Sequence, residues 1–382
     1  MHRYINVIDN EPSTVIAYAL SSLAYGAKLT ELFTTHYAPV FAELGETASA
    51  ATTSSGTRGE ERAARGELST PQIDALLASR RTDHYEQRFA DEFFEAKCVM
   101  YYPVQFHALR TQYVSEMDQF LMSLSRCRGW KTSGGKSNAS FAKTLDDRLV
   151  LKGISKSELD SFLGLGPEYF SFVSNFLFGK NDERENDSSG ASPSTLCMLI
   201  LGVFQIEVTL LKRRRERFRQ TFIVMENLFY DAPEISARFD LKGSERSRFV
   251  TPSPEAKDQV LQDDNFKEFL SRYPLYVGES DLALLSSSVV ADSRFLARCK
   301  VMDYSLLLGI DYSTATMYCG VIDYIRQYTW DKQVESIIKS SGLMGGGGKA
   351  PTVVMPEQYK DRFRAAMRTY FTLVPDKHST FV

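Results

Sequence analysis

The order of patterns along the chain predicts an α+β fold with a cleft between two lobes. Three observations lead there. Residues 141–144 and 148–152 alternate as two short strands joined at Asp146 and Asp147, and residues 196–211 and 220–228 flank the charged turn 212–217 as a long hairpin would. Downstream, helical spacing prevails at 280–300 and 356–371. Strand-rich sequence followed by helix-rich sequence marks α+β rather than α/β organisation.

The 382 residues are 43% hydrophobic, enough for one large two-lobed domain or two ordinary ones. A formal net charge of −3 gives no global pull toward a polyanion, so no nucleic-acid partner is expected. Affinity for an anionic membrane would have to come from local clusters. Cys98, Cys127, Cys197, Cys299 and Cys319 are dispersed, with no C-x-x-C pair and no histidine ladder, which fits free thiols and not zinc. Met1, His2, Arg3 and Tyr4 are not followed by an apolar core of signal-peptide type. The longest apolar run, 196–204, is far shorter than the ~20 residues of a membrane-spanning helix. A cytosolic chain with peripheral lipid contact is the expectation.

The expected organisation is an N-terminal segment at 1–44, a flexible low-complexity insertion at 45–83, and a main domain at 84–382. From 45 to 71 the chain is Ala, Ser, Thr, Gly, Glu and Arg with almost no large apolar residue, so burial cannot repay ordering. The polar stretch 180–190 reads as a surface loop. Between them, residues 155–176 have helical spacing, with an interruption expected at Pro167. Residues 304–310 and 317–324 read as buried strands.

Gly134, Gly135, Lys136, Ser137 and Asn138 would cradle phosphate if they joined two strands, because glycines let backbone N–H groups approach phosphate oxygens. A Walker loop is excluded by spacing, since the motif's first glycine position is Trp130. An ordinary hairpin turn is the competing explanation. Lys152 ends an alternating strand 16 residues beyond Lys136, where a nucleotide kinase places the lysine that holds the α- and β-phosphates. Glu158 and Glu168 in the following helix are its possible ion-pair partners, and the sequence does not choose between them.

The string Met302, Asp303, Tyr304, Ser305, Leu306, Leu307, with Phe239, Asp240, Leu241, Lys242, Gly243, Ser244 upstream, resembles the phosphatidylinositol phosphate kinase family. The likeness is greatest to its PIKfyve-like branch, the phosphatidylinositol 3-phosphate 5-kinases. It runs from about Phe94 to Asp376, with a further fragment at 9–22. The most branch-like passages are 124–127, 134–148 and 322–332, continued at 339–342 and 351–354. The resemblance implies a two-lobed lipid-kinase fold related to protein kinases, with an antiparallel sheet in the N-terminal lobe. It also implies ATP and Mg2+ as cofactors and an activity that makes phosphatidylinositol 3,5-bisphosphate. Two alternatives stand beside it: a kinase of phosphatidylinositol 4-phosphate or 5-phosphate, and a catalytically silent scaffold that binds membranes or proteins.

Carried over by position, Lys152 anchors ATP phosphates, Asp303 accepts the proton of the attacking inositol hydroxyl, and Asp323 holds magnesium. The 20-residue interval between the two aspartates suits carboxylates at neighbouring ends of a short hairpin. No His-Arg-Asp is present and Leu308 stands where a protein kinase has its catalytic-loop asparagine, which counts against a protein substrate and leaves a second metal ligand unassigned. Residues 222–228, with Met225, Asn227 and Leu228 as the contacts, are placed like the adenine hinge.

Lys242, Arg246 and Arg248 are candidates for the lipid phosphate, Lys242 on the strength of its motif, since guanidinium and ammonium groups suit an inositol phosphate. Arg326 and Lys332 join this set. For Arg246 and Arg248 a solvated turn balanced by Asp240 and Glu245 explains the charges equally well. Trp330, Val334, Ile337 and Ile338 form an apolar helical stripe in the segment 324–355, fitting a membrane surface or the larger lobe. The run 212–219 carries six cations against Glu216, a hairpin tip in solvent or a contact for anionic lipid. Relatives in this branch commonly carry a zinc-finger lipid-binding domain and a chaperonin-like domain. Neither pattern precedes Phe94, so recruitment to endosomal or vacuolar membranes is expected through scaffold proteins of a lipid-kinase complex or through basic surface.

Overall fold

The computed structural model describes residues 11–51 (side chains to 44), 68–114, 116–130, 140–180, 194–211, 217–232, 234–253, 256, 258–327 and 355–374. A seven-stranded sheet has the order β1-β2-β6-β7-β5-β4-β3, and every neighbouring pair in it is antiparallel. Its strands are β1 (His84–Ala90), β2 (Phe94–Tyr101), β3 (Cys127–Trp130), β4 (Phe141–Thr144), β5 (Leu149–Ile154), β6 (Ile200–Leu210) and β7 (Arg217–Glu226). A second sheet orders β12-β11-β8-β9, from β8 (Ala237–Leu241), β9 (Val260–Gln262), β11 (Ser305–Asp311) and β12 (Thr316–Ile322). The strand patterns read at 141–152 and 196–228 therefore belong to one antiparallel sheet, as the α+β expectation requires.

The N-terminal segment is part of this body. Helix α1 (Pro12–Ser21) buries Val15, Ile16, Ala17 and Ala19 against β2 and β6. Helices α2 (Leu23–Leu32) and α3 (Ala38–Ala51) follow, joined by a π-helical turn at Phe33–Tyr37. The expected insertion at 45–83 needs correction at its C-terminal end. Residues 70–78 form helix α4 (Thr70–Ala78), started by a capping box between Ser69 and Gln72. Ile73, Leu76 and Leu77 are completely buried against α5 (Pro103–Tyr113) and α7 (Lys156–Phe178). Three apolar residues at helical spacing outweighed the polar composition around them.

A second correction concerns Pro167. Helix α7 runs through it without a break. A proline removes the N–H that would bond the carbonyl four residues earlier, here that of Leu163, and Tyr102 Oη donates to that carbonyl at 2.6 Å instead. Gly166 makes room for the donor: a Cβ there would lie 2.6 Å from the Tyr102 ring. One tyrosine from the segment joining β2 to α5 thus replaces the missing helical bond.

The remaining helices are α6 (Met117–Leu124), α8 (Asp263–Arg272), α9 (Glu279–Arg298) and α10 (Pro356–Tyr370), the last packed on α9. Strands β10 (Tyr276–Gly278) and β13 (Thr372–Val374) form a small parallel pair. Among the described residues no helix is long and apolar enough to cross a membrane.

Candidate active site

The cleft is assembled from the ends of the two sheets. Strand β5 is buried along its whole length, and Lys152 sits in it between Phe141 of β4 and Ile223 of β7. The ladder fixes where the lysine stem starts, and burial fixes where the ammonium goes. Lys152 Nζ reaches Asp323 Oδ1 at 2.5 Å, from a side chain that is 8% exposed to one that is 42% exposed. The cation is not turned to solvent, which was the ordinary alternative for a strand-end lysine.

Strands β11 and β12 form an antiparallel hairpin in which Ser305 pairs with Ile322. Asp303 and Asp323 stand just beyond that last pair, at the same end of the hairpin, as their interval suggested. Both have left-handed backbones, φ 65° and 62°. Aspartate tolerates this region better than most residues, and such conformations persist only where surroundings hold them. The surroundings here are specific. Lys242 Nζ donates to the Asp303 carbonyl, Tyr359 Oη donates to the next carbonyl, of Tyr304, and the Met302 N–H donates to the Arg326 carbonyl at 3.4 Å. Tyr324 Oη donates to the Met198 carbonyl, which ties the residue after Asp323 to the approach to β6.

A cavity of about 170 Å³ lies between the sheets, lined by Val150, Lys152, Ile200, Ile223, Met225 and Asp323 among others. Asn227 and Leu228 also line it, so the three hinge candidates and the candidate phosphate lysine face one space. Asn227 shapes the exit from β7: its N–H donates to the Arg148 carbonyl at 2.9 Å and its Nδ2 to the Asp147 carbonyl at 2.8 Å. Asp240, considered in the sequence only as a balancing charge, lines the cavity too. Its alternation with buried Phe239 and Leu241 on β8 was the available signal. Asp303 is not among the lining residues and stands at the base of the adjoining hairpin.

Neither Glu158 nor Glu168 is the ion-pair partner of Lys152, whose ammonium is taken by Asp323 instead. Glu168 pairs with Arg80 at 2.8 Å and is no partner of Lys152. Glu158 closes the capping box of α7 with Ser155 and accepts from Arg326 Nη2 at 3.4 Å. Burial opposes its ionisation, but the Ser155 amide and hydroxyl, with Lys152 and Arg326 nearby, hold its carboxyl below the usual range. Arg326 therefore reaches toward the start of α7.

Of the other lipid-phosphate candidates, Arg248 is engaged within the protein. Its guanidinium donates to Asp263 at 2.5 Å and to Asp240 at 3.3 Å. Asp263 is completely buried, so removing Arg248 would strand its charge; this ion pair displaces the expectation of a lipid ligand at Arg248. Arg246 is exposed in the turn after Ser244. Gly134, Gly135, Lys136, Ser137, Asn138 and Lys332 lie outside the described residues, as do Trp330, Val334, Ile337, Ile338 and 212–216. The flanks of the glycine loop are described: β3 and β4 pair, with Trp130 opposite Phe141.

A family model described as Phosphatidylinositol-4-phosphate 5-Kinase matches residues 125–316 and 312–370. Among curated proteins, the 1-phosphatidylinositol-3-phosphate 5-kinase FAB1A of Arabidopsis thaliana is 37% identical over 396 residues, covering 98% of this chain and 21% of that protein. The 1-phosphatidylinositol 3-phosphate 5-kinase FAB1 of Saccharomyces cerevisiae is 38% identical over 307 residues, covering 80% of this chain and 13% of its own length. The Homo sapiens 1-phosphatidylinositol 3-phosphate 5-kinase is 40% identical over 296 residues, covering 77% and 13%. The chain spans about a fifth or less of the length of these relatives. The resemblance read from the two motifs at 239–244 and 302–307 is borne out, and with most of its length matched the chain belongs to the phosphatidylinositol phosphate kinase family.

Proposed function

We propose that this chain transfers the γ-phosphoryl group of ATP to the 5-hydroxyl of phosphatidylinositol 3-phosphate, giving phosphatidylinositol 3,5-bisphosphate. One convergence carries the proposal: Lys152 meets Asp323 from the larger sheet, while Lys242 meets the backbone of Asp303 at the same hairpin end. The names of the relatives point to the 3-phosphate lipid. Phosphoryl transfer spreads negative charge over the γ-phosphate oxygens, so a protein contributes mainly position and opposite charge.

In this scheme Lys152 holds ATP phosphates, and Met225, Asn227 and Leu228 wall the base's side of the cavity. Asp303 takes the proton from the inositol hydroxyl. Lys242 spends one of its three donors on the Asp303 carbonyl, leaving two for the acceptor's phosphate. The glycine loop 134–138 with Lys136, and Arg246, Arg326 and Lys332, are further candidates for phosphate. Asp323 would hold magnesium. A hard carboxylate oxygen, half-exposed beside Lys152, fits an ion that takes one or two carboxylates and fills its shell with phosphate and water. When bound, the ion supplies neutralisation of phosphate charge. A lipid substrate places the reaction at a membrane surface, endosomal or vacuolar in this proposal, with scaffold proteins as possible partners.

The description of the family model favours phosphatidylinositol 4-phosphate as the second reading. The test incubates the purified chain with radiolabelled ATP, magnesium and vesicles carrying each of the three phosphatidylinositol monophosphates. Product is expected chiefly from the 3-phosphate, and Asp303→Asn should lower the rate roughly 10²- to 10⁴-fold. Equal turnover of all three lipids would remove the 3-phosphate assignment. Turnover of none, with the chain folded, would leave a binding scaffold.

A further inference from the structure

Asp263 opens helix α8 and has no solvent exposure, yet it carries no group of the proposed reaction. Its carboxylate gathers donors from three separate elements. The successive N–H groups of Lys242, Gly243 and Ser244 donate to Oδ1 at 3.1, 2.7 and 3.3 Å. Arg248 Nη1 donates to Oδ2 at 2.5 Å, and Tyr370 Oη, from the last residue of α10, donates to Oδ1 at 3.2 Å. Burial and the Asp263 charge push the Tyr370 hydroxyl above its ordinary range, so it stays a donor.

Three consecutive N–H groups around one anion form a concave nest of the type that binds phosphate elsewhere. Here the chain's own carboxylate fills it. Gly243 has φ +61°, and a Cβ on it would lie 2.6 Å from the Cβ of Ala366, so the turn is closed against α10 as well. These amides are therefore not available to a substrate phosphate. What the nest fixes is the direction of the Lys242 side chain, whose ammonium donates to the carbonyl of Asp303. Asp303 has φ 65°, a conformation that persists only where its surroundings hold it.

We propose that Asp263 is a positioning residue: by organising the 242–244 turn it aims Lys242 at the Asp303 carbonyl and so fixes the backbone that carries the general base. Arg248 neutralises the buried carboxylate, and Tyr370 ties the hub to α10. This rests on the proposed role of Asp303 in the reaction. A displaced base lowers the rate of the chemical step and leaves nucleotide binding alone, because Lys152 lies in β5 and Met225, Asn227 and Leu228 lie in or just past β7, away from the 242–244 turn. A misplacement of about 1 Å in such a site costs roughly 100-fold.

The test compares Asp263→Asn, Tyr370→Phe and Arg248→Met in the purified chain, using MgATP and vesicles of the preferred lipid. Asp263→Asn is expected to lower kcat roughly 100-fold, and Tyr370→Phe several-fold, each with KM for ATP unchanged. Should Asp263→Asn fail to fold, Tyr370→Phe alone decides, since it deletes a single oxygen. Unchanged kcat in a folded Asp263→Asn, or in Tyr370→Phe, overturns the proposal. So does Arg248→Met if it raises KM for the lipid at constant kcat, for Arg248 would then be a lipid ligand. Hydrogen–deuterium exchange separates this inference from the assignment of function, because it needs no turnover. Tyr370→Phe should speed exchange in peptides covering both 239–245 and 299–305. Faster exchange confined to the first, or to neither, means the hub does not reach Asp303.

Discussion

Two lysines bracket the cleft, and they are held by different means. Lys152 lies in β5, whose six residues are all buried, and the ladder on either side sets its origin. Lys242 lies past the end of β8, in a turn with no ladder of its own, and a buried carboxylate from α8 holds its backbone. The first ammonium ends on the side-chain carboxylate of Asp323, the proposed magnesium ligand. The second ends on the main-chain carbonyl of Asp303, the proposed base. The contrast teaches that regular structure distributes the work of aiming a cation over many weak constraints, whereas a turn concentrates it in one or two atoms.

The contrast can be broken most directly at Lys152. Lys152→Met keeps an apolar stem in a buried strand while removing the charge, so the chain should stay folded and lose about 10³-fold in kcat/KM for ATP. A folded variant keeping a tenth of wild-type activity would mean that the ladder places an idle lysine. At the seam between the walls, buried Asp292 accepts from Thr195 Oγ1 and the Leu196 N–H at 2.7 Å each. Burial pushes its carboxyl up to about 7. The folded chain thus keeps a proton that the unfolded chain releases above the usual carboxylate range, and stability should fall as pH rises from about 4 to about 7, by at most about 1.4 kcal/mol per pH unit. Urea midpoints across that window should show Asp292→Asn flattening the slope. His107, pushed down to about 4 by burial, works in the opposite sense, losing stability as pH falls below about 6.5, so each site is read from its own variant.

Behind the Lys152 wall, Tyr102→Phe orphans the Leu163 carbonyl and should destabilise by roughly 1–3 kcal/mol in thermal or urea unfolding. No loss would show that α7 does not need the borrowed donor. The smallest effect is expected between the walls. Glu158→Gln can keep the capping box but loses its charge, and Arg326→Met removes the half-exposed partner. Each should change kcat/KM for ATP only a few-fold, since such pairs contribute about 0–1 kcal/mol. A double-mutant cycle that finds the two effects additive would make the 3.4 Å approach incidental.

Much of the frame was legible because period and order carry it. The strands at 141–152 and 196–226, the helix at 280–300 and the hairpin holding Asp303 and Asp323 follow from alternation and spacing. Lys152 was legible as well, since its strand pattern and its distance from Lys136 both bear on it. Pro167 misled, because the donor that rescues its helix comes from Tyr102, far away in sequence. Helix α4 was hidden by the polar residues before it, and Arg248 stood open between a phosphate ligand and a charge balanced by Asp240; it pairs with Asp240 and also with Asp263, whose burial nothing local shows.

By itself, then, the sequence determined the family and the α+β order and named the candidates for the chemistry, since these depend on residue type and on separations along the chain. The tertiary structure alone decided which charges were already used. It paired Glu168 with Arg80, brought Glu158 and Arg326 together, and closed Asp263 over the turn that carries Lys242. The physical reason is that a charge's role depends on its nearest opposite charge and on its distance from water, and both are set by residues that meet only when the chain is folded.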